Sequence, residues 1–278
     1  MSTDPLPPLR EVIAAIGLSA KKSLGQNFIL DLNITRKIAR HIPGLENAHV
    51  IEIGPGPGGL TRALLMEGAK RVTAIEKDAR TLPALEAIQK TYPGRFEFRL
   101  EDALEVDESN LVEPGEEVHI AANLPYNIAS VLLGKWLEAE PPFFKSITVM
   151  LQREMAERFI AVPGTKAYGR LSVMAQWRCK PKILFNLPAA AFTPAPKVTS
   201  SVIQLIPTDP AIDGLTGNDI AAFTHLLFSK RRKTLRNVLQ PLGKDVVLIL
   251  EGEGIDPSLR AENLRIEEIC RLAKRFKI

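Results

Sequence analysis

Cysteine is scarce in this chain: 278 residues contain two, Cys179 and Cys270, far apart and in no CxxC pair. That excludes a disulfide framework and a paired-thiol redox centre, and it fits a reducing compartment. The four histidines (His41, His49, His119 and His225) show no H-E-x-x-H and no paired spacing, so no metal site is expected. No apolar run approaches the ~20 residues that span a bilayer. The N-terminus, MSTDPLPPLR, lacks the apolar core of a signal peptide. A cytoplasmic protein with a flexible leader over residues 1–20 is the expectation. Net charge is also low, at +4. Composition alone therefore identifies no acidic partner, and the location of charge matters more.

What the chain does have is an ordinary globular composition, 45% apolar and 24% charged, with length for one large domain and a small one. Residues 49–53 (HVIEI), 71–75 (RVTAI), 96–100 (FEFRL), 118–122 (VHIAA) and 146–151 (SITVML) are short β-rich runs. Helix-like segments such as Leu60 to Glu67 and Thr81 to Thr91 separate most of them. This alternation predicts an α/β fold built from βαβ units, with ligand-binding loops at the carboxyl ends of parallel strands. KILFNL (182–187) and SSVIQLI (200–206) predict a hairpin-like edge. PTDPAIDGLTGND (207–219) reads as a linker, and helical spacing follows it. Two domains are expected: 21–207, and a small helical one over 208–278.

The first strand leads into IEIGPGPGG, whose Gly54, Gly56 and Gly59 satisfy G-x-G-x-x-G. Pro55 and Pro57 lack N–H groups, which weakens a phosphate cradle that depends on backbone donors. Glu52 is expected to add negative charge there, which disfavours a pyrophosphate and tolerates a cationic ligand. Glu76 ends the next strand, about where a ribose-binding acid falls. Asp102, in EDAL, follows the third strand and can accept from an adenine amino group. Each acid alone reads as a solvated strand end. In sequence after three successive strands, they point to a nucleoside site that suits adenosylmethionine.

Asn123-Leu124-Pro125-Tyr126 follows the fourth strand. The Asn123 side-chain oxygen and a backbone carbonyl near Pro125 can accept both hydrogens of an exocyclic adenine amine, aiming its lone pair at a methyl group. Tyr126 can stack on an extruded base. Phe192, in FTPAP, is a candidate for the opposite face of that base, with a core position as its alternative.

The glycine loop, Glu76, EDAL and NLPY together resemble class I adenosylmethionine-dependent adenine-N6 methyltransferases. SLGQNFILD (23–31), AYGRLSVMAQW (167–177), AFTPAPKVTSSVI (191–203), FSKRRKTLRNVL (228–239) and RAENLRIEEI (260–269) narrow the resemblance. It points to the KsgA/RsmA family of small-subunit ribosomal RNA adenine dimethyltransferases. The resemblance implies a Rossmann-like sheet of seven strands over 21–207 as the catalytic domain, with 208–278 as a helical RNA-binding domain. It implies dimethylation of two adjacent adenosines near the 3′ end of 16S rRNA, in an immature 30S subunit, by a monomer without a metal. It assigns Asn27, Ile29, Gly54, Glu76, Asp102 and Asn123 to cofactor contacts. Ile29 stands where Leu is usual, Pro57-Gly58-Gly59 replaces a Leu-containing loop, and Thr199 replaces a frequent Asp.

Alternatives are a large-subunit dimethyltransferase of the macrolide-resistance type, a DNA adenine methyltransferase, a nicotinamide dehydrogenase and a non-catalytic 30S assembly factor. For RNA, the segment 208–278 holds 12 Lys/Arg against 10 Asp/Glu, but its basicity is concentrated. Lys230, Arg231, Arg232, Lys233 and Arg236 fall within seven residues, expected on a helix that meets phosphates. Arg178, Lys180 and Lys182 are candidate extensions of that surface.

Overall fold

The structure of the protein, a computed structural model, describes residues 4–21, 25–209, 214–243 and 245–276. The side chains of Tyr126 and Asn127 lie outside that description, as do Ser23 and Leu24 of the SLGQNFILD segment. The chain divides into two compact units. The first comprises Met1–Leu132, Phe143–Arg153 and Ile183–Leu205; the second comprises Leu133–Pro142, Glu154–Lys182 and Ile206–Ile278.

The first unit opens with α1 (Leu9–Ala15), β1 (Phe28–Ile29) and α2 (Leu32–Ala39). Alternation then begins with β2 (His49–Ile53), α3 (Gly59–Met66), β3 (Arg71–Glu76), α4 (Leu82–Thr91), β4 (Phe96–Leu100) and β5 (Val118–Asn123). Along the chain follow α5 (Tyr126–Glu138), β6 (Ser146–Gln152), α6 (Arg153–Phe159), α7 (Arg170–Arg178), β7 (Cys179–Leu187), β8 (Phe192–Thr193) and β9 (Ser200–Pro207); of these, residues 133–138, 154–159, 170–182 and 206–207 belong to the second unit. The seven-stranded sheet has the order β4-β3-β2-β5-β6-β9-β7, parallel from β4 to β6, with β9 antiparallel to β6. Every residue of β2 is buried, as expected of a central parallel strand covered on both faces. The two late strands are sheet neighbours, and β7 is the edge.

Register places the functional ends together. Ile53 pairs with Ile75 on one side and Ala122 on the other, so Glu76 and Asn123 each lie one residue beyond the row. Strand order reverses at β2, and at such a switch point an open α/β sheet leaves a crevice for a ligand.

The leader differs from its expectation. Residues 9–15 are helical, Leu9 and Leu18 are buried, and Asp4 forms an ion pair with Arg62 of α3. Arg62 is only 1% exposed, and its guanidinium also donates to the Leu6 carbonyl at 3.1 Å. A buried guanidinium needs a carboxylate, so a partner 58 residues away in sequence docks the segment.

In the second unit the late helices are α8 (Gly217–Leu227), α9 (Leu235–Leu239), α10 (Val246–Gly252) and α11 (Ile266–Phe276). Phe223 of α8 stacks on Phe276 of α11 with ring centroids 6.2 Å apart. Gly217 starts α8 so close to the end of α5 that a Cβ there would lie 2.4 Å from the Glu138 carbonyl oxygen. The buried Tyr168 hydroxyl donates to the Leu264 carbonyl at 2.9 Å, joining the AYGRLSV and RAENL segments.

Asp4→Ala is expected to cost about 3 kcal/mol of unfolding free energy, because it leaves a buried guanidinium unpaired. Urea melts test this. A loss below about 0.5 kcal/mol, the range of a surface substitution, would show that the pair does not dock the segment.

Candidate active site

One cavity is lined by residues 25–29, the glycine loop, Ile75 to Lys77, Glu101 to Leu104, Ala122 to Pro125, Ile128 and Met150. It collects Asn27, Ile29, Gly54, Glu76, Asp102, Asn123 and Pro125, seven of the candidates read from sequence. All belong to the first compact unit.

The backbone of the loop is fully used. Gly54 N–H donates to the Ile75 carbonyl, Gly56 N–H to Glu76 Oε2 and Gly58 N–H to the Pro55 carbonyl, each at 2.9 Å. Pro55 and Pro57 have no N–H to give, so residues 54–58 offer a ligand no free backbone donor. Two glycines follow from close approach. A Cβ on Gly58, at φ +89°, would lie 2.2 Å from Ile88 Cδ1, and one on Gly59 would lie 3.0 Å from the Ile29 carbonyl oxygen.

Around the loop the cavity presents acceptors. Glu76 Oε1 accepts from Asp78 N–H at 2.7 Å and Oε2 from Gly56 N–H, which fixes the carboxylate while leaving each oxygen a lone pair. Burial raises the Glu76 pKa, opposed by those two N–H bonds. Asp102 Oδ2 is paired with Lys77 Nζ at 2.5 Å, and Oδ1 accepts from Leu104 N–H at 3.1 Å. The Lys77 ammonium holds the Asp102 carboxyl below its usual range, so it is an anion at neutral pH.

Asn123 ends β5, and its Nδ2 donates to the Asn27 carbonyl at 2.9 Å. That bond fixes the amide orientation and leaves Oδ1 as the acceptor. The Pro125 carbonyl accepts from Ile128 and Ala129 N–H at 3.2 Å as α5 begins, so it is committed to the helix. Tyr126 opens that helix; its side chain lies outside the description.

Four expectations need correction. Glu52 does not charge the loop. It is 1% exposed, and burial pushes its carboxyl up to about 8, so it holds a proton at neutral pH. The case against a pyrophosphate rests instead on the used N–H groups. Phe192 is 4% exposed, packs in the apolar core and is absent from the cavity wall, so the core position holds as the structure stands. Its strand partner β1 instead contributes Phe28 to the wall.

The other two corrections concern the basic run and Arg178, both in the second unit. Residues 228–233 form a turn and bend between α8 and α9, and only Arg236 of the run is helical. Arg231 donates to the carbonyls of Lys166 (2.9 Å) and Tyr168 (3.2 Å) and lies 3.7 Å from Glu262, and it is exposed, as are Lys230, Arg232, Lys233 and Arg236. Arg178 is 5% exposed, paired with Glu140 and stacked on Trp177, so it is no surface cation. Lys180 and Lys182 are exposed.

Sequence reasoning missed Gln26, Phe28, Lys77, Asp78 and Arg80. Gln26 and Phe28 stood in the quoted GQNF segment, but their roles depend on partners tens of residues away. No local spacing marks Asp78 or Arg80.

The Glu52 carboxyl titrates at 4.5 ordinarily and about 8 when folded. The folded protein therefore keeps a proton that the unfolded chain has lost, and stability falls as pH rises through that window. Glu52→Gln is expected to flatten the decline in urea midpoints across this range. Parallel pH slopes for the variant and the unaltered protein would refute the assignment.

Comparison with known proteins extends over the whole chain. The family model for ribosomal RNA adenine dimethylase matches residues 17–277. The chain is 51% identical to Ribosomal RNA small subunit methyltransferase A of Cereibacter sphaeroides, with 99% of each covered. It is 54% identical to the protein of that name from Dinoroseobacter shibae, with 98% of each covered. A dimethyladenosine transferase from Plasmodium falciparum has TM-score 0.76 and 26% identity, covering 89% of this chain and 96% of that one. The 23S rRNA methyltransferase ErmE has TM-score 0.67 and 25% identity, covering 91% and 100%. A central seven-stranded α/β sheet, acceptor-lined loops and matches over the full length agree: the chain belongs to the ribosomal RNA adenine dimethylase family and is an rRNA adenine methyltransferase.

Proposed function

We propose that this chain uses adenosylmethionine to dimethylate N6 of two adjacent adenosines in the 3′-terminal hairpin loop of 16S rRNA. The substrate is an immature 30S subunit, and the modification serves small-subunit biogenesis. The observation that carries the reading is the Asn123 amide, held by the Asn27 carbonyl so that Oδ1 remains the acceptor.

The cavity suits a ligand rich in donors and positive charge. Glu76, Asp102, Asn123 Oδ1 and the buried Glu52, whose Oε2 has no partner among the described residues, are acceptors or latent anions. The loop 54–58 has no N–H left for a phosphate. Ribose hydroxyls match Glu76, an adenine amine matches Asp102, and ammonium and sulfonium groups match the remaining acceptors. A nicotinamide dinucleotide brings phosphates for which this loop has no donor. Adenosylmethionine supplies a methyl group on a sulfonium, which departs as a neutral thioether.

The protein's part is alignment. Asn123 Oδ1 accepts one hydrogen of the target amine. The second goes to the Leu124 carbonyl, because Pro125's is committed to α5. The nitrogen lone pair is thereby freed to attack the methyl carbon as the carbon–sulfur bond breaks, and a proton leaves the nitrogen for solvent. Preorganised dipoles stabilise the charge that develops, so no strong base is needed. Tyr126 is assigned to stacking on the base, with Phe28 on the cavity wall.

Residues 21–207 are assigned to methyl transfer and 208–278 to RNA binding, in a cytoplasmic monomer. Lys230, Arg232, Lys233 and Arg236 are the phosphate contacts, with Arg231 bracing the loop that carries Lys166. Relatives more than half identical over their whole length carry the small-subunit name. ErmE is matched at 25% identity, and this favours the small subunit over the large.

Incubation with adenosylmethionine and small subunits lacking these methyl groups is expected to yield two adjacent dimethyladenosines by mass spectrometry of RNA fragments. Their absence beside an active control enzyme would refute the reading. Asn123→Ala is expected to lower kcat by about 100-fold or more while leaving particle affinity within about twofold. An equal loss of binding would refute the division between alignment and docking. Removing Lys230, Arg232 or Lys233 is expected to reduce the salt slope of RNA affinity by about 0.7 to 0.9 each. Arg231→Ala leaves the slope unchanged, and a drop of that size would make Arg231 a phosphate contact.

A further inference from the structure

Gln26, part of the cavity wall, joins Asp78 and Arg80, which are not, in a polar cluster of the first unit. The Gln26 amide is fixed at both ends. Its Nε2 donates to Asp78 Oδ2 at 2.8 Å, and its Oε1 accepts from Lys21 N–H at 3.0 Å and Arg80 Nη2 at 3.2 Å. Arg80 spreads its planar fork over three pieces of chain. Nε reaches Asp78 Oδ1 at 2.8 Å, Nη2 reaches Asp78 Oδ2 at 2.5 Å, and Nη1 reaches the Ser19 carbonyl at 3.0 Å. Asp78 is 6% exposed and accepts from both the guanidinium and the amide.

Two links lead from this cluster into the cavity. Asp78 N–H donates to Glu76 Oε1, one of the two bonds that orient that carboxylate. Gln26 is followed by Asn27, whose carbonyl holds the Asn123 amide. Neither Asp78 nor Arg80 lines the cavity, so both act through neighbours.

We propose that Asp78 and Arg80 are a positioning pair: they latch Gln26 to the ribose end of the cavity, setting Glu76 for cofactor binding and the Asn27 carbonyl for Asn123. This rests on the cavity being the adenosylmethionine site. Arginine is required because one guanidinium meets Ser19, Gln26 and Asp78 at once. A lysine in its place pairs with Asp78 as a point charge, leaving the Ser19 carbonyl without this donor and Gln26 Oε1 with Lys21 N–H alone. The cluster also ties positions 54 and 61 residues apart in sequence, Gln26 to Arg80 and Ser19 to Arg80. Its effect is therefore on the arrangement of distant segments and not on the short turn at Ala79–Thr81 that Asp78 caps.

The test compares the unaltered protein with Arg80→Lys and Gln26→Met. Calorimetry with adenosylhomocysteine gives Kd, hydrogen exchange of the free protein reports the amides of residues 25–29, and steady-state kinetics separate KM for adenosylmethionine from kcat. In both variants Kd and KM are expected to rise about tenfold, the loss of one charge-assisted hydrogen bond. Exchange at 26 and 27 speeds up in the free protein, and kcat at saturation changes less than KM. Gln26→Met keeps the Asp78–Arg80 pair, so a shared effect identifies the latch itself even if Arg80→Lys folds poorly. Kd and KM within about twofold of the unaltered protein in Gln26→Met, with or without faster exchange, would overturn the proposal and leave the cluster a brace for folding. If the unaltered protein binds no adenosylhomocysteine, the cofactor reading itself fails and the latch with it.

Discussion

The hydrogen bond from Gly56 N–H to Glu76 Oε2 is the constraint around which the site is built. It joins the loop after β2 to the last residue of β3, and it bears on two questions together. The carboxylate is fixed for a ligand's hydroxyls, and the loop loses a donor that a phosphate would need. The parallel register of β2 with β3 and β5 puts the two partners within reach. The sheet supplies the distance and the glycine supplies the clearance. A glycine-rich loop after a first strand is thus not in itself a phosphate site. Its chemistry depends on which N–H groups remain unspent once the fold has taken its share.

Much of the sheet was legible in sequence, and the reason is local. Inner parallel strands are short apolar runs, and the five read from composition match β2 to β6 to within a residue at each end. The two-residue strands β1 and β8 were not legible, because a ladder that short exists only through its partner. The helix at Leu9–Ala15 was hidden by flanking prolines and by dependence on a pair formed 58 residues away, Asp4 with Arg62. Glu76, Asp102 and Asn123, read from residues at or just beyond strand ends, do line one cavity. The site was not legible where a residue works by holding another.

Charge was the least reliable guide. Glu52, inside a strand, reads as an anion from its letter, and complete burial makes it a neutral acid at pH 7. Arg178 and Arg231 read as cations for a nucleic acid. The first is buried against Glu140 and Trp177, and the second stays exposed while donating to two backbone carbonyls. Desolvation and partner geometry decide these cases, and both are properties of the folded chain.

Two consecutive residues bond to different parts of the site: the Gln26 side chain to Asp78, and the Asn27 carbonyl to the Asn123 amide, which are the proposed ribose and base ends. A single planar peptide separates them. The two dihedrals of Asn27 are part of the remaining freedom between the Gln26 anchor and the carbonyl that orients Asn123. An enzyme that methylates the same nitrogen twice must exchange its donor between the two transfers. Under the proposed assignment of this cavity, the segment that closes on the donor is also the one that orients the base, so the two exchanges share one stretch of backbone.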